Sequence, residues 1–259
     1  MNKRVQARYV HALFFSAEVA DGEIFRLRGR RMELDNRLRA LADLVPPKSR
    51  VADIGTDHAY LSVYLVENGK AEFVVAGDKN SGPCEAAART VRLSGHEDRI
   101  SVRQGDGLSV LAPGEVDTIC IAGMGGGLMC EILGACPKVL KAVGTLVLQP
   151  MNDSLELRRW LYRHSWHIED ETLAVAEGRL YEIVMAKKGR RRQPSRIMME
   201  IGPILWEKKT ELLRHHMKAL LFRNKRIAAG MEKSEEARRS RKYKEIRKDI
   251  KTLEEMLKW

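Results

Sequence analysis

Short β-rich runs alternate with helical periodicities from residue 36 to residue 186, and this alternation predicts a doubly wound α/β sheet built from five β-α units. Two further observations sharpen the expectation. The last two runs are separated by Glu177-Gly178, a turn too short for a crossover, so they form an antiparallel β-hairpin that closes the sheet. Carboxylates or glycines end almost every run, at the strand ends where such sheets bind ligands.

The elements follow in order. Apolar spacing over Asn36–Leu44 suits a helix that Pro46-Pro47 stops. The first strand covers 50–55, and a helix over 59–68 ends at Gly69. The second strand is 73–77, followed by a helix over about 83–93, and the third and fourth strands are 100–104 and 117–122. A helix over about 128–140 leads to the fifth strand at 145–148, and a helix over 153–164 leads to the hairpin strands at 168–175 and 180–186.

Composition narrows the function classes. With 259 residues, 44% hydrophobic and 31% charged, the chain can bury a substantial core, and no run approaches the 18 apolar residues of a membrane span. The four cysteines, Cys84, Cys120, Cys130 and Cys136, contain no C-x-x-C pair and read as reduced core thiols of a cytoplasmic protein. The seven histidines show no H-x-x-x-H, so no metal is expected. Aromatics at 6% are too sparse for a single-strand stacking platform. Charge divides the chain. Residues 1–189 carry 25 Lys and Arg against 25 Asp and Glu, whereas residues 190–259 carry 21 against 10, so the whole net charge of +11 lies in the tail. A neutral body with a basic tail suits one part for chemistry and one for a polyanion, with a merely solubilising tail as the plain alternative. Residues 1–32 show no periodic face and read as an accessory or disordered extension, 33–189 as the α/β domain, and 190–259 as a basic helical domain.

The loop after the first strand discriminates between cofactors. A dinucleotide fold places G-x-G-x-x-G there, so that backbone reaches a pyrophosphate. Here the run is Gly55-Thr56-Asp57-His58-Ala59-Tyr60, with an Asp in place of the second glycine. A carboxylate repels phosphate and suits a ligand with a positive centre and an ammonium group. S-adenosylmethionine has both and no phosphate. Asp78, 23 residues after Gly55, suits ribose hydroxyls, and Asp106 suits the adenine amino group. The cofactor set is therefore Asp53, Gly55, Asp57, His58, Asp78, Asp106, Gly107, Gly123 and Met124. Each also has a plainer reading: Asp53 as a helix cap, Asp78 and Asp106 as turn formers, and the glycines 123–127 as tight packing. Their order on successive strand ends favours the ligand-binding reading.

These residues carry a family resemblance. The run Ala52-Asp53-Ile54-Gly55-Thr56-Asp57-His58-Ala59-Tyr60-Leu61 resembles the bacterial tRNA (adenine-22-N1)-methyltransferase family, TrmK. So do Gly105-Asp106-Gly107-Leu108, Gly123-Met124-Gly125-Gly126, Leu148-Gln149-Pro150 and Tyr181-Glu182-Ile183. The resemblance runs from about residue 33 to the end, and Met151 stands where many members have Asn. It implies a Rossmann-like class I methyltransferase fold with a C-terminal coiled coil that helps hold tRNA, S-adenosylmethionine as methyl donor, and adenine 22 as the target. The residues themselves leave three classes open: a tRNA methyltransferase, a methyltransferase with a protein or small-molecule acceptor, and a non-catalytic RNA-binding protein. Intact Asp53, Gly55, Asp78 and Asp106 weigh against the last. Asp57 is the candidate for stabilising a cationic product, with His58 and Tyr60 positioning or stacking the base. The chain lacks a [DNS]-P-P-[YFW] tetrad after the fourth strand, which favours ring-nitrogen over amino-group chemistry.

The tail has its own pattern. Trp206, Thr210, Leu213, Met217, Leu220, Asn224, Ile227 and Met231 alternate spacings of four and three, as do Tyr243, Ile246, Ile250, Leu253 and Leu257. Two such seams joined by a polar stretch predict an antiparallel helical hairpin that satisfies its own seam, hence a monomer. Arg190, Arg191, Arg192, Lys208, Lys209, Arg214, Lys218, Arg223, Lys225 and Arg226 are the candidate RNA-binding cations.

Overall fold

A computed structural model of the chain describes residues 32–259, so the expectation for the N-terminal extension lies outside the described residues up to 31. From Met32 onward the chain is packed: Met32 and Leu34 are buried, and the Met32 backbone N–H donates to Glu67 Oε2 at 2.7 Å. Asp35 then caps helix α1 (Asn36–Leu44), its carboxylate accepting from the Leu38 backbone N–H at 2.7 Å.

The α/β body continues as β1 (Ser49–Ile54), α2 (Tyr60–Glu67), β2 (Ala71–Asp78), α3 (Ser81–Ser94) and β3 (Ile100–Gln104). A 3₁₀ turn (Gly107–Val110), β4 (Thr118–Met124), α4 (Gly126–Ala135), α5 (Pro137–Ala142), β5 (Thr145–Pro150), α6 (Ser154–Arg163), β6 (Trp166–Ala176) and β7 (Arg179–Lys188) complete it. The sequence predicts one helix over 128–140, but the structure has two. Cys136 leaves the helical region at φ −123°, ψ 67°, and Pro137, which lacks an N–H, starts the second.

The seven strands form one sheet in the order β3-β2-β1-β4-β5-β7-β6, with β1 to β5 parallel and β7 antiparallel to both of its neighbours. Alternate residues of the central strands feed opposite layers. Val51, Cys120 and Val147 pack under α1 to α3, while Ala52, Ile119, Ile121, Leu146 and Leu148 pack against α4 to α6. Strand order reverses between β1 and β4, and the crevice above their carboxyl ends is the place where such sheets take ligands.

The tail departs from its predicted pattern at its entry. Two short helices, α7 (Arg196–Ile201) and α8 (Pro203–Lys208), precede the hairpin of α9 (Glu211–Met231) and α11 (Arg241–Met256), and α10 (Glu235–Arg239) occupies the connection. Trp206 therefore belongs to α8 and Thr210 is the N-cap of α9, because the chain reverses at Lys209 with φ +48°. Ile227 is exposed and Ala228 takes the seam beside Ile246 and Ile250. Leu213, Met217 and Leu220 pack with Leu253 as the spacing predicts, and they extend onto Ile201 of α7, Leu205 of α8 and Leu173 of the body. Asn224 is buried on the seam, as expected, but its amide nitrogen has no hydrogen-bond partner among the described residues.

Candidate active site

The loop leaving β1 is held in a conformation few sequences tolerate. Gly55, Asp57 and Ala59 all have positive φ, at +77°, +53° and +58°. Two non-glycine residues in the left-handed region within one loop cost free energy and belong where the shape is needed. Gly55 supplies the conformation that an L side chain resists. Asp53 anchors the loop from below. Its Oδ2 accepts from Thr56 Oγ1 at 2.8 Å and Ser62 Oγ at 2.7 Å, tying β1, the loop and α2 together. Burial pushes the Asp53 carboxyl up, and the hydrogen bonds from Ser62 and Thr56 only partly offset it.

A cavity of about 440 Å³ opens above this loop at the strand-order reversal. It brings together Asp53, Gly55, Asp57, His58, Tyr60, Asp78, Gly123 and Met124 of the sequence-derived set. His58 and Tyr60 stack with ring centroids 5.3 Å apart, and His58 Nε2 lies 3.7 Å from Asp57 Oδ1 at the open rim. Asp78 ends β2 with Oδ1 accepting from the Asn80 backbone N–H at 2.9 Å. Asp106 and Gly107 are not brought into the cavity lining. Asp106 is exposed and pairs with Lys79 at 3.1 Å, one strand further out.

Three lining residues escape the strand-end reading: Asp35, Arg37 and Leu38, all from the start of α1. The helix precedes β1 in sequence, and nothing in its periodicity says that it folds over the ligand end of the sheet. Arg37 Nη1 donates to Gln149 Oε1 at 2.7 Å, and the same oxygen accepts from the Gly123 backbone N–H at 3.0 Å. The fully buried Gln149 thus joins α1, the β4 loop and β5. The loops after β4 and β5 are also stitched by backbone, Met151 N–H to Met124 O at 2.8 Å and Gly126 N–H to Asn152 O at 3.1 Å. A Cβ on Gly126 would lie 2.6 Å from the Asp153 carbonyl oxygen, so only glycine permits this approach.

Behind the β5 loop sits a buried charge cluster. Arg158 donates to Glu171 Oε1 and Glu182 Oε2, each at 2.7 Å, and to the Met199 carbonyl at 3.0 Å. Glu171 Oε2 accepts from the Ile204 backbone N–H at 2.9 Å, and Glu182 Oε1 from Ser154 Oγ at 2.9 Å. Burial alone would raise Glu182, but Arg158, with His216 behind it, outweighs that and holds the carboxyl below its usual range. The cluster clamps α7 and α8 to the body at the foot of the β5 loop.

Many of the candidate RNA-binding cations are engaged within the chain. Lys208 pairs with Asp170, Arg191 with Glu169, Arg223 with Glu200 and Lys225 with Glu254. Arg214 holds the carbonyls of Leu257 and Trp259, Lys209 lies over Trp206, and Arg190 donates to Ser165 Oγ. Arg226 lies over Phe222. Among the described residues, Arg192 and Lys218 make no ion pair. Lys208 and Lys209 stand on and just after α8, not on α9.

Comparison with known proteins agrees with this geometry. Residues 51–255 match the family described as TrmK, tRNA (adenine(22)-N(1))-methyltransferase. The tRNA (adenine(22)-N(1))-methyltransferase of Bacillus subtilis (strain 168) is 43% identical over 160 residues, which span 62% of this chain and 67% of that protein. The crystal structure of the B. subtilis m1A22 tRNA methyltransferase TrmK superposes with a TM-score of 0.79 at 35% identity, over 87% of this chain and 99% of that one. Streptococcus pneumoniae Sp1610 in complex with S-adenosyl-L-methionine superposes with a TM-score of 0.77 at 29% identity, over 87% of this chain and 100% of that one. With most of its length matched in sequence and in fold, the chain belongs to the TrmK family of tRNA (adenine(22)-N(1))-methyltransferases.

Proposed function

We propose that the chain methylates N1 of adenine 22 in tRNA with S-adenosylmethionine as donor, and that the cavity over the β1 loop holds the donor while the rim formed by Asp57, His58 and Tyr60 receives the base. The observation that carries this reading is the acid-lined cavity at the strand-order reversal, whose carboxylates suit a sulfonium and an ammonium and disfavour a phosphate. The donor fits the residues present: Asp78 has a carboxylate oxygen beyond its bond to Asn80 for ribose hydroxyls, and Asp53 and Asp57 line the same cavity for a sulfonium and an ammonium. When bound, S-adenosylmethionine supplies an already activated methyl group.

The protein's own task is then alignment and charge. Adenine N1 carries a free lone pair at neutral pH, so no residue has to remove a proton to expose it. The stacked His58 and Tyr60 rings offer an edge against which an extruded base can rest, and extrusion costs a few kcal/mol. Asp57, at the open rim, faces the positive charge that develops on the ring. Asp106 lies outside the cavity lining, and we assign it to the adenine end of the donor, reached from its exposed position.

We assign 33–189 to donor binding and chemistry and the basic segment 190–259 to holding tRNA, with the chain acting as a monomer in the cytoplasm. The engaged cations can still face phosphates from their ion pairs, while Arg192 and Lys218 are available outright. The test is methyl transfer from labelled S-adenosylmethionine to unmodified tRNA transcripts, with nucleoside analysis, for the intact chain and for Asp57→Ala. Formation of 1-methyladenosine by the intact chain, with turnover reduced about 100-fold in Asp57→Ala, supports the assignment. Full turnover in Asp57→Ala removes that residue from the mechanism, and donor binding without tRNA methylation overturns the acceptor.

A further inference from the structure

The solvent face of α9 carries an aromatic ring that neither the helical seam nor the ion pairs account for. Phe222 keeps 65% of its surface exposed, more than any other large apolar side chain among the described residues, and it belongs to no core cluster. A lone exposed apolar side chain is ordinary, but the setting of this one is not. Lys218 and Arg226 stand one turn to either side, at i−4 and i+4, each about 6 Å away along the helix axis and on the same face. Their neighbours Arg223 and Lys225 are paired with Glu200 and Glu254, whereas Lys218 and Arg226 make no ion pair among the described residues. Arg226 Cζ lies 5.9 Å from the centroid of the Phe222 ring.

The charges decide what such a face can receive. An apolar protein surface laid over the ring would bury Arg226 without a counter-charge, which is costly. A second copy laid antiparallel across Phe222 would set Lys218 of one chain against Arg226 of the other, like against like. An RNA strand meets both demands. Its bases offer a flat π-face to an aromatic ring or a guanidinium plane, and its phosphates offer the anions. Bases within a duplex already stack on one another, so the ring is left for a base that is unpaired. We propose that the face of α9 around Phe222 is a nucleobase-stacking site. The ring takes an unpaired base of the tRNA, and Lys218 and Arg226 hold the phosphates to either side. The proposal rests on the reading that the tail holds tRNA, and adds to its phosphate contacts a base contact that the cations alone do not provide.

Equilibrium binding of an unmodified tRNA transcript to the full chain, measured over a series of salt concentrations, tests the site. The proteins are the unsubstituted chain, Phe222→Ala, Phe222→Tyr, Phe222→Leu and Arg226→Gln, each checked for folding by circular dichroism and for binding of S-adenosylmethionine. Phe222→Ala should weaken tRNA binding about 5- to 100-fold, the range for one stacked base, without changing the slope of log affinity against log salt. Phe222→Tyr should restore the affinity, whereas Phe222→Leu, which keeps apolar bulk but has no π-face, should not. Arg226→Gln should instead reduce the salt slope by about 1, as the loss of one phosphate contact does. An RNA duplex without unpaired bases should bind the unsubstituted chain and Phe222→Ala alike. An unchanged tRNA affinity in Phe222→Ala, full affinity in Phe222→Leu, or an equal loss on the duplex would each overturn the stacking site. So would a dimer in sedimentation that Phe222→Ala dissociates, because the ring would then be covered by a second copy. Failure of the unsubstituted chain to bind tRNA at any salt would overturn the tail's tRNA-holding role and this contact together, a result distinct from the loss of the contact alone.

Discussion

Replacing Arg158 by leucine should unfasten the C-terminal helices in a pH-dependent way. The guanidinium and Glu171 are fully buried, Glu182 is largely buried, and Arg158 is the cation between the two carboxylates. Removing one member of such a cluster leaves charge buried and uncompensated, which costs about 3–5 kcal/mol. The cheapest escape is to protonate one glutamate. With an ordinary value near 4.3, that costs about 3.7 kcal/mol at about pH 7 and only about 1 kcal/mol at about pH 5. The wild-type reference changes little between these conditions. Because the Glu182 carboxyl is depressed in the folded state, its contribution is present above the unfolded value and is lost only as pH falls through the lower, folded one. Urea unfolding of Arg158→Leu should therefore show a loss of about 4 kcal/mol at about pH 7 that shrinks by about 2–3 kcal/mol at about pH 5. Since Met199, Ile204 and Leu205 all hang on this cluster through their backbones, limited proteolysis should cut first between the body and α9. A loss that is the same at both pH values, or that stays below about 1 kcal/mol, would refute the reasoning, because the buried charge would then not be what the substitution exposes.

Two further outcomes follow from the loops around the cavity. Gly126→Ala drives a Cβ to 2.6 Å from the Asp153 carbonyl oxygen, an immovable backbone atom, and should lower stability by about 1–3 kcal/mol in thermal unfolding while also weakening turnover; no change in either would mean that the β4 and β5 loops part freely. Asp53 should trade stability for ligand binding. Burial raises its folded carboxyl above the usual carboxylate range, so the chain loses stability as pH rises through the folded value, and Asp53→Asn should gain in melting temperature over wild type across that window while binding S-adenosylmethionine more weakly; an advantage that narrows with rising pH has the wrong sign and sinks the argument.

The strand ends were legible because a parallel sheet leaves its ligand site little choice. Once 50–55, 73–77 and 117–122 read as strands, Gly55, Asp78 and Gly123 had to lie along one edge of the sheet, and the cavity gathers all three. Local chemistry also narrowed the expected ligand, since an Asp at position 57 disfavours a phosphate beside it. Asp106 shows the limit: the strand end is right, but β3 is the edge strand, and its loop stops short of the cavity lining. The tail shows another. A spacing of three and four runs unbroken through Trp206 and Thr210, yet a left-handed Lys209 turns the chain between them, and periodicity does not register a single backbone dihedral.

What the amino-acid order determined by itself was therefore what depends on near neighbours and strand alternation: the doubly wound body, the closing hairpin, the acid-rich loop after β1 and the basic helical tail. What only the tertiary structure decided was which distant segments share a space. Arg37 reaches Gln149 across 112 positions and Arg158 reaches Met199 across 41, and burial sets whether a charge such as Arg223 faces solvent alone or is neutralised by Glu200. Such pairings rest on packing geometry between whole elements, and no local pattern encodes them.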